Sequence, residues 1–291
     1  MKAKALILCV LLLLTLLPGC AGGNETQIAA TTLPVYQFTA RLCEGTGHTV
    51  TRLVTDSVSC LHDYSLNVSQ VRSAESAQVI VISGGGLEDF MSDILDDSKA
   101  VINSADGIHL LDCEEEHDHG HDHHHHGADN HFWLSPAHAK TMAVNICTGL
   151  SAQFREHQET FEANLDQLLA DLDTLHAYGE AQLGDLSCRE LVTFHDGFSY
   201  FAQAFDLTIL EAIEEESGSE ASAQELIRLI TMVNEHQLPA VFTETNGSTS
   251  AAGIISAETG AKVYALDMAM AGNDYFEAMY YNIDIVKEAL G

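Results

Sequence analysis

The 291-residue sequence predicts an α/β protein made of two halves that are organised alike. In each half, short apolar runs typical of buried strands alternate with helical patterns, and this alternation predicts βα units and a mostly parallel sheet. The segment between the halves has no proline from residue 137 to residue 238 and repeats apolar residues at helical spacing. The two halves are therefore predicted to be connected through a helix.

Before residue 100, the first half contains two predicted strands and two predicted helices. The strands are the apolar runs VTRLV (50–54) and QVIVIS (78–83). Continuous runs of this length are typical of strands that are buried on both faces of a parallel sheet. Helical patterns cover residues 34–43 and 87–95.

The second half repeats this alternation. Its predicted strands are ELVTF (190–194), PAVFT (239–243) and AKVYAL (261–266). Residues 222–235 form a predicted helix, which begins with the capping box Ser222-x-x-Glu225. Residues 274–290 are predicted to form a closing helix.

The connecting segment is defined by its apolar periodicity. Its apolar residues are spaced by 4, 3, 4 and 3 positions: Phe161, Leu165, Leu168, Leu172 and Leu175. This spacing predicts one helix over residues 156–183, about 40 Å long at 1.5 Å per residue. Such a helix could be a rigid strut between two lobes, or an ordinary crossover helix of unusual length.

The N-terminus has the features of an export signal. Two lysines precede an apolar run over residues 5–17, which is too short to cross a bilayer. The string LPGC (17–20) resembles the lipobox of bacterial lipoproteins, in which the cysteine is lipidated. We therefore expect a signal peptide over residues 1–19, a lipid anchor at Cys20 and a tether over residues 20–26. The alternative is an ordinary signal peptide with a chance cysteine.

The predicted mature chain is strongly acidic. Without the two lysines of the signal, 10 basic residues stand against 43 acidic ones, a formal charge of −33. This balance argues against nucleic acid and against an anionic membrane surface as partners. Five cysteines remain once Cys9 is removed and Cys20 is lipidated, and this odd number without a CxxC spacing predicts no disulfide framework.

Four side chains that can bind a metal lie just after predicted strands or in the loops that follow them. They are His62, His131, His195 and Asp267. Open parallel sheets bind ligands outside the carboxyl ends of their strands, so these four could converge on one crevice. Three imidazoles and one carboxylate are a suitable tetrahedral set for zinc. Each could instead be an ordinary loop residue, and Glu244, which directly follows PAVFT, competes with Asp267.

One stretch, EEEHDHGHDHHHHGADNHFW (114–133), holds eight of the sixteen histidines. Seven of them belong to a run without apolar residues, over residues 114–126: His117, His119, His121, His123, His124, His125 and His126. We expect this run to form a flexible loop that binds zinc weakly and passes it to a fixed site. The alternatives are a sensor of excess zinc and a solvated loop with incidental affinity. The eighth, His131, follows the predicted strand HLLD (109–112) and precedes Ser135-Pro136, a suitable helix start.

Four strings carry a more specific signal. They are CLHDYSL (60–66), DNHFWLSPAHAKTMA (129–143), LVTFHDGFSYFAQAFDL (191–207) and ETGAKVYALDMAMAGNDYFEAMYYNIDIVKEAL (258–290). The second resembles the D-P-H-x-W-x-D-P motif, and the third the F-H-D-A-F-x-Y-F stretch, of the cluster A-I solute-binding lipoproteins. These are the zinc and manganese receptors of bacterial ABC importers. The resemblance covers about residues 27–290.

This resemblance implies two α/β lobes, each with a mostly parallel sheet flanked by helices, joined by one long rigid helix. The lobes would cover residues 27–155 and 185–291, and the helix residues 156–184. The metal would lie between the lobes. The ligands carried over from the family are His62, His131, His195 and Asp267. This sequence departs from the family at Leu61 and Met268, where proline is usual.

The third ligand position favours zinc. Family members for manganese tend to carry glutamate there, whereas this chain has His195, and imidazole suits zinc. The resemblance therefore implies a monomeric receptor, not an enzyme, that captures Zn(II) and delivers it to an ABC permease at the outer face of the bacterial cell membrane. The alternatives are a manganese-binding member of the family, a metal-binding adhesin or sequestering lipoprotein, and a zinc hydrolase, for which no HExxH motif is present.

Overall fold

The computed structural model describes most of the predicted mature chain. The described residues are 28–55, 61, 64–95, 99–112, 128–213, 221–270, 272 and 274–291. The predicted signal peptide, Cys20, His62 and the seven histidines between residues 117 and 126 lie outside them. Among the described helices, none combines the length and the apolar character that crossing a membrane requires.

Two parallel sheets organise the fold. The strands of the described residues are β1 (Ile28–Ala30), β2 (Val50–Arg52), β3 (Val79–Ile82), β4 (Ala100–Asn103), β5 (Leu111–Asp112), β6 (Ala128–Asp129), β7 (Glu190–Thr193), β8 (Thr208–Ala212), β9 (Ala240–Glu244) and β10 (Lys262–Leu266). The first sheet has the order β2-β1-β3-β4 and the second the order β8-β7-β9-β10, and every pairing in them is parallel. The two sheets therefore share one topology, and the predicted α/β class is confirmed.

Helices flank both sheets. In the described residues they are α1 (Leu33–Leu42), α2 (Val68–Ser76), α3 (Pro136–Gln153), α4 (Gln158–Leu183), α5 (Ser199–Ala204), α6 (Ala223–Glu235), α7 (Ser250–Thr259) and α8 (Tyr275–Leu290). The predicted capping box at α6 is confirmed, since the Ser222 and Glu225 side chains each accept a bond from the other's backbone N–H. Asp274 caps α8. Ser135 occupies the N-cap position of α3, but its side chain makes no capping bond.

The long helix α4 joins two α/β units. We call the first sheet, the β5–β6 ribbon with the turn that follows it, and α1–α3 the first unit, and the second sheet with α5–α8 the second unit. Helix α4 has 26 residues, about 39 Å at 1.5 Å per residue, and it ends at Leu183 as predicted. It packs against α1 and α3 of the first unit and against α8 of the second. Its predicted apolar stripe is fully buried at Leu168, Leu172 and Leu175.

The two units share one apolar core. It runs from Val81 in the first sheet through Leu172 in α4 to Phe242 in the second sheet and Ile283 in α8. Neighbouring residues of a strand point to opposite faces, so Ile80 belongs to a separate cluster on the other face of the first sheet. The shared core packs the two units against each other.

The helix predicted over residues 87–95 is wrong. This segment forms turns and a short 3-10 helix over Asp89–Met91. Three glycines, residues 84–86, precede it with positive φ angles, which interrupt regular structure. The buried carboxylate of Glu88 accepts bonds from two backbone N–H groups just before it and from the hydroxyl of Thr31, and these bonds hold the chain in a turn.

The strand predicted at residues 109–112 is shortened to β5 and does not join a parallel sheet. It pairs with β6 as an antiparallel two-stranded ribbon. The backbone N–H of Leu111 donates to the hydroxyl of Tyr200, which donates to the carbonyl of Asp129, and both bonds are 2.8 Å long. His131 therefore follows this ribbon and not a strand of the first sheet.

Candidate metal site

Two histidines from the two units face each other. His131 lies just after β6, at the start of a 3-10 turn over Phe132–Leu134, and His195 lies just after β7. Their Nε2 atoms are 3.4 Å apart, and their rings are nearly perpendicular, at 84°. Both are largely shielded from solvent, with 8% of the His131 side chain and 16% of the His195 side chain exposed.

This separation fits two ligands of one metal ion. Zinc binds an imidazole nitrogen at about 2.0–2.1 Å, so two nitrogens of a tetrahedral site lie about 3.3–3.4 Å apart. The observed distance of 3.4 Å between the Nε2 atoms of His131 and His195 matches this value. Two positive charges at this distance would repel each other, so the arrangement suits two rings that share one cation.

A carboxylate holds the other nitrogen of each ring. Nδ1 of His131 is 3.0 Å from Oδ1 of Asp129, which also accepts the backbone N–H of His131. Nδ1 of His195 is 3.0 Å from Oε1 of Glu244. These contacts assign the proton to Nδ1 in both rings and leave the Nε2 lone pairs for a metal. Carboxylate–imidazole pairs of this kind are typical of metal-binding histidines.

The second sheet explains why His195 and Glu244 meet. Strands β8 and β9 lie on opposite sides of β7, so the chain crosses over in opposite directions before and after β8. Open parallel sheets bind ligands at such switch points, outside the carboxyl ends of the strands. His195 follows β7, and Glu244 is the buried last residue of the neighbouring β9. The order of the strands therefore places the Glu244 carboxylate next to the His195 imidazole.

Burial and the neighbouring imidazole favour the neutral form of His195. Burial lowers the pKa of His195, and the neighbouring imidazole of His131 lowers it further. The carboxylates of Glu244, Asp196 and Asp129 act in the opposite direction. The second carboxylate oxygen of Asp129, Oδ2, is buried and has no hydrogen-bond partner among the described residues. The carboxylates around the two imidazoles provide a negative potential that attracts a cation.

Gly197 leaves the space in which the two rings approach. A Cβ atom added to it would lie 2.8 Å from Nδ1 of His131, 2.8 Å from Cδ2 of His195 and 2.5 Å from the terminal methyl group of Met268. Cβ atoms in proteins do not approach other heavy atoms this closely. Because Met268 is buried, its methyl group has little room to move away. A side chain at position 197 would therefore displace the rings.

Asp267 lies at the carboxyl end of β10 and is half-buried. Its backbone N–H and carbonyl both bond to the side chain of Asn282, at 2.7 Å each. Its carboxylate accepts the N–H of Ala269 at 2.8 Å, and burial raises its pKa. Within the described residues, no group of three or more His, Cys, Asp or Glu side chains is placed to hold a metal ion. Asp267 as a ligand stays a prediction, and so does His62, which lies outside the described residues.

Sequence reasoning missed the part that two carboxylates take in the site. The sequence signal for Asp129 is its spacing of two residues from His131. Glu244 was considered as a competing ligand, but it contacts Nδ1 of His195, whereas the Nε2 of that ring faces His131. Nothing in the sequence pairs Glu244 with His195, because the pairing depends on the order of the strands.

The fold and the histidine pair define a two-unit α/β protein with a site suited to a divalent cation. A sequence model of the ZnuA family, described as zinc-uptake complex component A, periplasmic, matches residues 28–289. The chain belongs to this family. The resemblance predicted from the four sequence strings is thereby confirmed.

Relatives and a solved structure show the same likeness. The chain is 28% identical over 298 residues to the zinc-binding lipoprotein AdcA of Streptococcus pneumoniae (strain ATCC BAA-255 / R6), with 97% of this chain and 59% of AdcA covered. It is 28% identical over 284 residues to the high-affinity zinc uptake system protein ZnuA of Bacillus subtilis (strain 168), with 92% and 88% covered. A crystal structure of ZnuA matches with a TM-score of 0.78 and 30% identity, over 92% of this chain and 100% of that chain. The chain thus spans 59% of the length of AdcA.

Proposed function

We propose that this protein captures Zn(II) between its two units, outside the cytoplasmic membrane, and delivers it to an ABC permease. The observation that carries the proposal is the carboxylate-backed pair of His131 and His195, whose nitrogens are spaced as two ligands of one tetrahedral ion. Membership in a zinc-uptake family supports both the cargo and the permease. The proposed role consists of binding and release, without enzymatic turnover.

The proposed ligands are His62, His131, His195 and Asp267. The two facing imidazoles supply two corners of a tetrahedron. Asp267 lies at the carboxyl end of the same sheet from which His195 emerges. Burial raises its pKa, and a bound cation would offset that cost because it stabilises the ionised carboxylate. A set that is rich in imidazole favours zinc over the harder manganese ion.

Export and lipid anchoring are a separate part of the proposal. Residues 1–19 would be removed, Cys20 would carry the lipid, and residues 20–26 would tether a monomer to the outer face of the cell membrane. The LPGC string supports this, as does the similarity to AdcA, a zinc-binding lipoprotein. The variant Cys20→Ser should appear in the culture medium instead of the membrane fraction. If the variant stayed with the membranes, another anchor would have to hold the protein.

The seven histidines between residues 117 and 126 are proposed to act as weak zinc sites that raise the local supply. Their run leaves β5 and returns at β6, whose last residue, Asp129, contacts His131. Zinc collected there would be released close to the tight site. The run binds more weakly than a preorganised site because it must lose conformational entropy around each ion.

A zinc titration in competition with a chelator tests the central proposal. His131→Ala and His195→Ala should each lose the tight site. His236→Ala is a matched control, since His236 Nδ1 also lies 3.0 Å from a carboxylate, that of Glu190, but this pair lies outside the proposed site and His236 is exposed. The control should bind zinc like the wild type. Tight zinc binding in His195→Ala, or a preference of the wild type for manganese, would contradict the proposal.

A further inference from the structure

Trp133 connects His131 to the segment that carries Asp267. It is the chain's only tryptophan, it is fully buried, and it lies two residues after His131 in the same 3-10 turn. Its indole N–H donates to the carbonyl of Met268 at 2.8 Å, and Met268 directly follows Asp267. One side chain therefore links two proposed ligands that come from different units.

Both ends of this link are held in place. Tyr275 is fully buried and donates its hydroxyl to the carbonyl of Trp133 at 2.7 Å. Burial raises the pKa of Tyr275, so the hydroxyl remains a donor at neutral pH. Asn282, in the second unit, binds the backbone of Asp267 on both sides. The backbone around Asp267 is thus fixed by Asn282 from its own unit and by Trp133 from the other.

The indole is a stiff connector. Its side chain has two torsions, and both are restricted in a close-packed interior. The ring also contacts the His131 imidazole edge to face, with centroids 5.4 Å apart. A shift of the turn that carries His131 is therefore transmitted to the carbonyl of Met268, and so to Asp267.

We propose that Trp133 is a positioning residue for the metal site: its bond to Met268 sets the distance between the His131 imidazole and the Asp267 carboxylate. This inference rests on the proposed function, because it requires that Asp267 binds the ion. Packing alone would bury Trp133 equally well, but it would not make the effect of Trp133 depend on one particular ligand. That dependence can be measured.

A double-mutant cycle tests the inference on the full mature protein. Trp133→Phe removes the indole N–H and keeps an aromatic ring, and Asp267→Asn removes the charge. Each should weaken zinc binding about tenfold or more, as changes that disturb ligand orientation typically do. If Trp133 acts through Asp267, adding Trp133→Phe to Asp267→Asn should change the affinity less than about twofold. If the affinity losses of the two single variants multiplied in the double variant, the inference would be overturned.

The visible absorption spectrum of the Co(II)-bound protein gives a second measurement, which a packing defect alone would not change. The intensity of its visible bands depends on the number and geometry of its ligands. The cobalt spectrum of Trp133→Phe should therefore shift toward that of Asp267→Asn. A spectrum equal to the wild type, combined with weaker binding, would assign Trp133 a packing role and overturn the inference.

Tyr275→Phe keeps the inference testable if Trp133→Phe does not fold. It removes one hydroxyl without a cavity, and it should weaken zinc binding several-fold because the turn of Trp133 loosens. The matched control is Tyr178→Phe. This variant loses a 2.6 Å hydrogen bond to Asp284, which lies on α8 like Tyr275, but neither Tyr178 nor Asp284 contacts a proposed ligand. Equal zinc affinities in the two variants would overturn the inference.

The outcomes separate this inference from the proposed function. If Asp267→Asn binds zinc like the wild type, the proposed ligand set is wrong and Trp133 has nothing to position. If Asp267→Asn weakens binding and Trp133→Phe does not, the ligand set stands and the positioning role is wrong. The thermal unfolding of the metal-free variants identifies any loss of fold.

Discussion

The carboxylate of Glu244 should strengthen zinc binding without touching the ion. Glu244→Gln keeps the shape of the side chain, and its amide oxygen can still accept the Nδ1 proton of His195. The variant removes the negative charge that lies 3.0 Å from that nitrogen. Glu244 is 7% exposed, so solvent screens this charge little.

The size of the effect follows from the change in the hydrogen bond. A hydrogen bond to a charged group contributes about 1.5–3 kcal/mol, and a bond between neutral groups about 0.5–1.5 kcal/mol. This bond is already present without the ion, so only the part of the difference that develops when zinc makes the Nδ1–H a stronger donor counts toward affinity. Removal of such a partner typically weakens metal binding by about 10-fold or more, and a factor of ten is about 1.4 kcal/mol. Loss of this carboxylate also makes the imidazole a weaker base, which acts in the same direction.

Competition with a chelator of known affinity measures this change, and thermal unfolding of the metal-free protein checks the fold. The control is Glu190→Gln, which removes a carboxylate from His236 at the same 3.0 Å distance, outside the proposed site. The control should bind zinc like the wild type. The reasoning is refuted if Glu244→Gln, correctly folded, binds zinc within twofold of the wild type.

Three further outcomes are expected. Gly197→Ala should weaken zinc binding about fivefold or more, measured by calorimetry, because its Cβ would lie 2.8 Å from an atom of each ring and overpacking costs about 1–3 kcal/mol. Zinc affinity should change little with pH above about 6.5 and should fall at lower pH. The reason is that the folded-state pKa of His195 lies below its ordinary 6.5, so protons compete with zinc only at acidic pH. A series of zinc titrations from pH 5 to pH 8 checks this. Deletion of residues 114–126 should leave one tight zinc per protein and remove the weak sites, whereas loss of the tight site would show that the run forms part of it.

Local periodicity predicted much of the fold. The 4-3-4-3 spacing located α4 to within two residues, and the Ser222-x-x-Glu225 box located the start of α6. Local periodicity does not predict structure that a distant contact determines. Residues 87–95 form a turn because Glu88 bonds to Thr31, 57 positions away in the sequence, and no local pattern reports such a bond.

The site was only partly accessible to the same reasoning. His195 follows the rule that ligands gather at the carboxyl ends of parallel strands, and the structure places it there. His131 follows an antiparallel ribbon, so the rule for parallel strands does not apply to it. The family motif predicts His131 as a ligand without that rule. The role of Glu244 depends on the adjacency of β7 and β9, which is a property of the folded sheet.

The ribbon of β5 and β6 separates a segment whose length can vary from a segment whose geometry must be kept. It pairs Leu111 with Asp129 and Asp112 with Ala128, so the chain is brought back to one fixed point before it reaches His131. Doubling the length of a closed loop costs only about 0.6 kcal/mol. The histidine run can therefore gain or lose residues between generations while Asp129 and His131 keep their places. If the run gathers zinc as proposed, its capacity can change with its length while the geometry of the His131 site stays the same.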